Sequence, residues 1–401
     1  VPAVCFYFQV HQPYRLRDYG VFDVGRRSDY FDAKLDEAVL RKVAAKCYRP
    51  MNALVEELVA RTDGRFRAAY SITGTALEQM ERWAPDVIES FRRLAQTGAV
   101  EFLAETYHHS LSFVGARDEF DEQVELHSAK VEALLGVRPR VFRNTELIFS
   151  NAVARRVHDL GFAGVLAEGA DRVLGWRSPH FVYTAQGTPD LPLLLKSYKL
   201  SDDIAFRFGN RGWEGWPLTT EKFASWLHRV NGGGETINLF MDYETFGEHQ
   251  WAETGIFEFM RALPEAVLAH GDMRFATPSE VIATCPPRGE LDVRDFVSWA
   301  DSERDLTAWL GNAMQASSLR ALYALRDDVL ASGDARALED FRRLTTSDHF
   351  YYMCTKYFAD GDVHKYFSPY ESPYEAHIAF MNALSDLTLR VSRGAELRAA
   401  A

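Results

Sequence analysis

Cysteine is scarce: Cys5, Cys47, Cys285 and Cys354 stand far apart and never form a C-x-x-C pair. That spacing excludes a zinc knuckle and supplies no disulfide framework, so the four are expected to be reduced thiols of a cytoplasmic protein. Lysine is sparse too, nine of 45 basic residues, a bias that codon composition and heat adaptation would both produce. Positive charge is short overall: 57 acidic residues leave a formal charge of −12 and a pI of about 5.5, which removes nucleic acids and anionic membrane surfaces as partners. No run approaches the roughly 18–20 apolar residues of a membrane span, and no basic segment precedes the first apolar stretch as in a signal peptide. A leader removed before Val1 would leave no trace here. The common metal and nucleophile signatures are missing as well: no H-E-x-x-H or H-x3–5-H pair, no G-x-S-x-G, and no glycine-rich phosphate turn after a strand.

What is present is an alternation. The 401 residues admit one large barrel-type domain with an appendage, or two to three ordinary domains. Short apolar, β-branched or aromatic runs at 4–10, 66–72, 100–104, 140–145, 163–168, 237–242 and 273–277 predict seven strands. Helical spacing fills most of the intervals, for example 41–60, 85–97, 120–135 and 152–160. This is an α/β pattern with a mainly parallel sheet. Most strands end in polar groups: His11, then Glu105 with His108 and His109, then Glu146, Glu168, and Asp242 with Glu244. Carboxylates and imidazoles at the C-terminal ends of strands are what the mouth of a β/α barrel collects.

Two stretches break the alternation. Residues 171–226 contain Pro179, Pro189 and Pro192 and the run Gly212-Trp213-Glu214-Gly215-Trp216-Pro217, and are expected to be an insertion over the mouth, with 204–208 a candidate eighth strand. From Glu303 the spacing is helical. Residues 1–290 are therefore assigned to the barrel and 291–401 to a helical C-terminal domain completing the cleft, joined by Cys285-Pro286-Pro287-Arg288-Gly289.

Glu146 lies between Val141-Phe142-Arg143-Asn144-Thr145 and Leu147-Ile148-Phe149, and Asp242 ends Ile237-Asn238-Leu239-Phe240-Met241. A carboxylate among apolar neighbours has to be paired, hydrogen-bonded or functional. Either one alone is explained equally by a structural salt bridge. As a pair in one mouth they meet the needs of glycoside hydrolysis, in which one carboxyl protonates the leaving oxygen while the other attacks the anomeric carbon or activates water. Burial and the charges of Glu244 and Glu248 would keep Asp242 protonated. The aromatic content of 13% exceeds what a core needs, and flat side chains hold sugar rings. His11 and His109 are read either as satisfied structural groups or as site residues. Trp213 and Trp216 either stack on sugar or pack on the barrel rim, and Trp299 with Asp301 either caps the cleft or anchors the helices.

Five segments in chain order resemble the five sequence regions of glycoside hydrolase family 57: His11-Gln12-Pro13, Gly98-Ala99-Val100-Glu101-Phe102 with His109, Arg143-Asn144-Thr145-Glu146, Met241-Asp242-Tyr243-Glu244-Thr245-Phe246-Gly247-Glu248-His249, and Val297-Ser298-Trp299-Ala300-Asp301. Thr346-Ser347-Asp348-His349-Phe350-Tyr351-Tyr352-Met353 resembles the family's α-amylase branch. The resemblance implies an incomplete (β/α)7 barrel followed by a helical region, retention of anomeric configuration, and no required metal or other cofactor. It matches Glu146 to the nucleophile, Asp242 to the general acid/base, and His11, His109, Trp299 and Asp301 to positions near the reacting sugar. The implied partner is an α-glucan or maltooligosaccharide; oligomeric state is not implied. Glucanotransferases and branching enzymes share the scaffold, and the short chain favours the amylase branch. Two other readings stand beside it: a non-catalytic glucan-binding protein, opposed by the presence of both carboxyls, and a metal-dependent deacetylase or mannosidase, opposed by the missing ligand spacing.

Overall fold

The computed structural model describes residues 1–356 and 368–399. Strand β1 (Ala3–Val10) is buried along its whole length, without alternation, as a strand covered on both faces must be. It pairs in parallel with β2 (Ala68–Ile72), which pairs with β3 (Val100–Phe102). A second run joins β4 (Val141–Arg143), β5 (Gly164–Glu168) and β7 (Thr188–Lys196) in parallel, with β6 (Tyr183–Ala185) antiparallel on the β7 edge. A parallel bridge between Ala104 and Phe142 links the two runs at one seam. On the far side of β1 lies β8 (Thr236–Asp242), in a register that sets Asp242 opposite Gln9. Between β7 and β8 there is no ladder. The Asn238 carboxamide donates to the Leu195 carbonyl at 2.8 Å and the Ser197 N–H to the Asn238 carbonyl at 2.8 Å. Seven staves thus form an incomplete (β/α)7 barrel with helices outside.

Four expectations are corrected. The stretch 171–226 carries the stave β7, which Pro189 and Pro192 disguise as a loop. Pro192 is tolerated because it faces Thr184 beside an irregularity on the β6 edge, where no inner ladder bond is lost. The run 204–208 is no strand: it begins within the helix Tyr198–Ala205, whose Ile204 and Ala205 are buried. Of 273–277 only β9 (Arg274–Phe275) forms, against the lower half of β1 at Ala3 and Val4, and it is not a stave. The boundary at 290/291 also falls inside β10 (Glu290–Leu291), which pairs with β6.

The helices Thr307–Leu310, Ala313–Ala324, Arg326–Ser332, Ala335–Leu344, Ser347–Tyr351 and Pro373–Ala399 follow. They enclose their own apolar cluster, with Trp309, Leu322, Phe341, Phe350 and Phe380 at its centre. Tyr19 and Tyr30, from the segment after β1, are buried in the same cluster, and the Tyr30 hydroxyl donates to Asp386 at 2.7 Å. The beginning of the chain and the helical region are therefore one packed unit. The four cysteines are buried and unpaired. Among the described residues no helix is long and apolar enough to cross a membrane.

Candidate active site

Left-handed backbone conformation recurs around the mouth. Of the six described non-glycine residues with positive φ, four are His109 (φ 51°), Glu146 (φ 55°), Leu147 (φ 52°) and Asp301 (φ 54°); Arg304 is close to them in sequence and Asp63 lies ahead of β2. Such conformations cost about 1–3 kcal/mol each and persist only where the surroundings hold them. Around Glu146 the hold is visible. Phe149 and Val297 exchange backbone hydrogen bonds of 2.9 Å, and the Trp299 N–H donates to the Glu146 carbonyl at 3.1 Å. Residues 297–299 are thereby laid along the turn, and the Trp299 indole Nε1–H donates to Glu146 Oε2 at 2.7 Å.

The other carboxylate oxygen, Oε1, accepts from His109 Nε2 at 2.7 Å, and His109 Nδ1 lies 3.1 Å from Glu105 Oε2. Burial alone would lower the pKa of His109, but its hydrogen bonds to Glu105 and Glu146 prevail and push it up to about 9, so the imidazolium donates from both nitrogens at neutral pH. Glu105 is wholly buried, accepts from Gln9 Nε2 at 3.0 Å, and has Arg143 Nη1 at 3.7 Å. Burial opposes its ionisation, yet His109 and Arg143 hold it down at about 2. Behind the mouth, then, lie two cations and two anions: Arg143, His109, Glu105 and Glu146.

This arrangement tunes the two candidate carboxyls in opposite directions. Burial works against the Glu146 anion, but His109, Arg143 and the Trp299 donor outweigh it and hold Glu146 below the ordinary carboxylate range. Asp242, at the end of β8, is pushed up to about 6 by burial and then by the charge of Glu146, against Arg143, His109 and Lys196. The anion that raises Asp242 is thus chiefly Glu146, where Glu244 and Glu248 were expected. Glu248 is paired with Lys42 at 2.5 Å and Lys46 at 3.4 Å. Glu244 accepts from the Tyr48 hydroxyl and is itself raised to about 8 by burial and by Asp242.

His11 follows β1 and stacks on His109 with ring centroids 4.1 Å apart. Its Nδ1 meets Thr73 Oγ1 at 3.0 Å and its Nε2 meets Asp348 Oδ2 at 2.9 Å. Burial and the neighbouring His109 charge lower its pKa despite Asp348. Asp348 arrives from the helical region because the Ser347 N–H donates to the His109 carbonyl at 2.9 Å and Thr346 bridges to Ser110. Asp301 sits 3.4 Å from Lys356, and its charge, together with that of Glu146, reaches the buried Tyr351 hydroxyl. The Trp299 ring has Arg143 at 5.0 Å and Lys196 at 5.1 Å from its centroid.

Glu146, Asp242, His11, His109 and Trp299 are therefore brought together, with Asp301 beside them. Trp213 and Trp216 are not joined to this group. Trp213 packs edge-on against Trp226 at 6.1 Å, and Gly215 is needed beneath its ring, where a Cβ would collide with the indole. Trp216 is 43% exposed beside Arg211.

The sequence model of glycosyl hydrolase family 57 matches residues 5–294, most of the chain. The chain belongs to glycosyl hydrolase family 57. A Methanocaldococcus jannaschii protein named "Putative alpha-amylase" is 43% identical over 399 residues, covering 96% of this chain and 83% of that protein. Solved structures of similar fold include the branching enzyme of Pyrococcus horikoshii (TM-score 0.68, 14% identity, 88% of this chain and 85% of that one) and an α-amylase of Thermotoga maritima (0.61, 14%, 95% and 92%). The 4-α-glucanotransferase of Thermococcus litoralis is also similar (TM-score 0.64, 16% identity), and this chain, 87% covered, spans 56% of that enzyme's length. As a family 57 enzyme the protein has a glycan substrate.

Reading the sequence missed how several residues serve this family 57 site. Glu105 and Arg143 were visible at strand ends, but not their charge chain to Glu146. Asp348 lies 337 positions from its partner His11, and Lys196 ends a strand that the prolines concealed.

Proposed function

We propose that the protein is a retaining α-glucan hydrolase of the α-amylase type, cleaving α-1,4 bonds of starch- or glycogen-like glucans and maltooligosaccharides. Glu146 is the nucleophile and Asp242 the general acid/base. The observation that carries this reading is the opposed tuning of the two carboxyls in one mouth, Glu146 held ionised and Asp242 raised to about 6. In the first step a Glu146 oxygen attacks the anomeric carbon as the Asp242 proton passes to the glycosidic oxygen and the leaving sugar departs. In the second, Asp242 takes a proton from water, whose oxygen displaces Glu146 from the same carbon and restores the original configuration. Forming the ester removes the Glu146 charge that raised Asp242, so the same group becomes ready to act as a base. His109 and Trp299 steady Glu146 through both steps, and His11 and Asp301 are placed to meet sugar hydroxyls.

Both steps are completed by carboxyls, so the mechanism calls on no cofactor. Four buried thiols without a disulfide suit a reducing compartment, and we read the protein as cytoplasmic. Transfer to a glucan hydroxyl in place of water is the second reading, supported by the glucanotransferase and branching enzyme among the similar folds. Incubation with soluble starch and with maltooligosaccharides, followed by product chromatography, decides between them. Shorter maltooligosaccharides with rising reducing ends are expected. Longer oligosaccharides or new branches without new reducing ends would establish transfer, and no product would reduce the site to binding.

A further inference from the structure

We propose a second, structural site for a divalent transition metal, suited to Zn2+, formed by His228, His270 and Asp272 at the end of the barrel away from the mouth. One ligand atom from each of the three residues lies within 4.8 Å of the others. His228 ends the helix Thr220–His228, ahead of β8, while His270 and Asp272 follow the helix Ile256–Leu268 and precede β9. All three therefore lie where strands begin, and Asp242 lies where β8 ends, about 20 Å along a seven-residue strand.

Three features distinguish this group from a chance surface cluster. His228 Nδ1 is buried without a hydrogen-bond partner, and it faces Asp272 Oδ1 at 3.6 Å, too far for a good hydrogen bond. Ligands held at about 2.0–2.2 Å by a tetrahedral ion stand at about this separation from one another. The other Asp272 oxygen accepts from the Asn231 carboxamide, which orients the carboxylate as an outer hydrogen bond does at a metal. The imidazole rings of His228 and His270 pack against each other, with centroids 3.8 Å apart and planes tilted by 39°. Tight turns hold the two histidines: the Asn231 N–H donates to the His228 carbonyl at 3.0 Å and the Met273 N–H to that of His270 at 3.1 Å. His270 is exposed, leaving room for water as a fourth ligand.

The helix that His228 ends and the helix that His270 follows pack against each other. An ion here links their C-terminal ends and stabilises the barrel without entering the chemistry. Because the ligands come from a helix end and from a turn more than 40 positions further on, no short motif announces them.

The test uses the metal-free full chain, titrated with ZnCl2 by calorimetry and by thermal unfolding, beside His270→Ala and Asp272→Asn. One ion per chain is expected, with a rise in Tm of about 3–5 °C at a hundredfold excess over Kd. Each substitution is expected to weaken binding about tenfold to a hundredfold and, at the same zinc concentration, to cut the rise to about half or less, with starch cleavage unchanged. Co2+ gives an independent readout, a visible d–d spectrum present in the wild type and lost in both variants. Absence of saturable binding below roughly 100 μM, an affinity too weak to matter structurally, would overturn the proposal. So would Zn2+ binding or a Co2+ spectrum that survives both substitutions.

Discussion

Replacing Glu105 by glutamine probes the charge chain behind the reacting carboxyls. In the folded protein His109 is raised from 6.5 to about 9, with Glu105 and Glu146 as the groups that raise it. At about 1.4 kcal/mol for each tenfold change in the proton equilibrium, that is an interaction of roughly 3 kcal/mol. A raised pKa stabilises the fold fully below pH 6.5, and the benefit is lost as pH rises through 9. Glu105→Gln removes one of the two carboxylates that supply it and also leaves the buried Arg143 short of an anion. We expect a loss of about 3 kcal/mol in unfolding free energy near pH 6, shrinking as the pH rises through 9 because the wild type then loses its own His109 proton. Urea unfolding between pH 6 and 10 measures this, and the His109 ring resonances report protonation directly. Catalysis follows. His109 gives up its proton near neutrality in the variant, Glu146 loses its imidazolium, and kcat/KM at pH 7 falls by about tenfold to a hundredfold. A stability deficit independent of pH, or an imidazolium that persists above pH 8 in the variant, would refute this reasoning.

The pH profile of kcat/KM for the wild type should fall on its basic side near pH 6, as Asp242 loses its proton, and on its acid side only below the ordinary carboxylate range, where Glu146 gains one; undiminished activity at pH 9 would contradict it. Asp242→Asn should reduce starch cleavage by about 10²–10⁴ yet spare the first step for activated aryl glucosides, with azide rescuing the second step to a product of retained configuration. The same rescue in Glu146→Gln instead would reverse the two roles. Trp299→Phe keeps a ring against Arg143 and Lys196 but deletes the donor to Glu146 Oε2, so the acid limb should move upward and kcat fall about tenfold, whereas an unmoved limb would deny the indole its part. Chelation should leave starch cleavage intact, and a loss restored by a divalent ion would count against a purely carboxyl mechanism.

Much of the fold was legible because its signals are local. A mainly apolar run such as 4–10, broken only by Gln9, that stops at a polar residue marks a strand covered on both sides, and it also marks which residue enters the mouth. That is how His11, Glu146 and Asp242 were found. Where a local signal was contradicted, the reading failed: prolines at 189 and 192 hid a stave whose identity rests on pairing with β5. Trp213, set among glycines, looked exposed because its partner Trp226 lies on the helix that follows.

The sequence by itself therefore determined the alternation of strand and helix, the family, and the two carboxyls at the strand ends. Only the tertiary structure decided their charge states, because a pKa depends on burial and on charges a few ångströms away, and those charges come from distant parts of the chain. Trp299 closes on Glu146 from 153 positions away and Asp348 on His11 from 337. Proximity of this kind is set by how staves and helices pack, and no spacing along the chain encodes it.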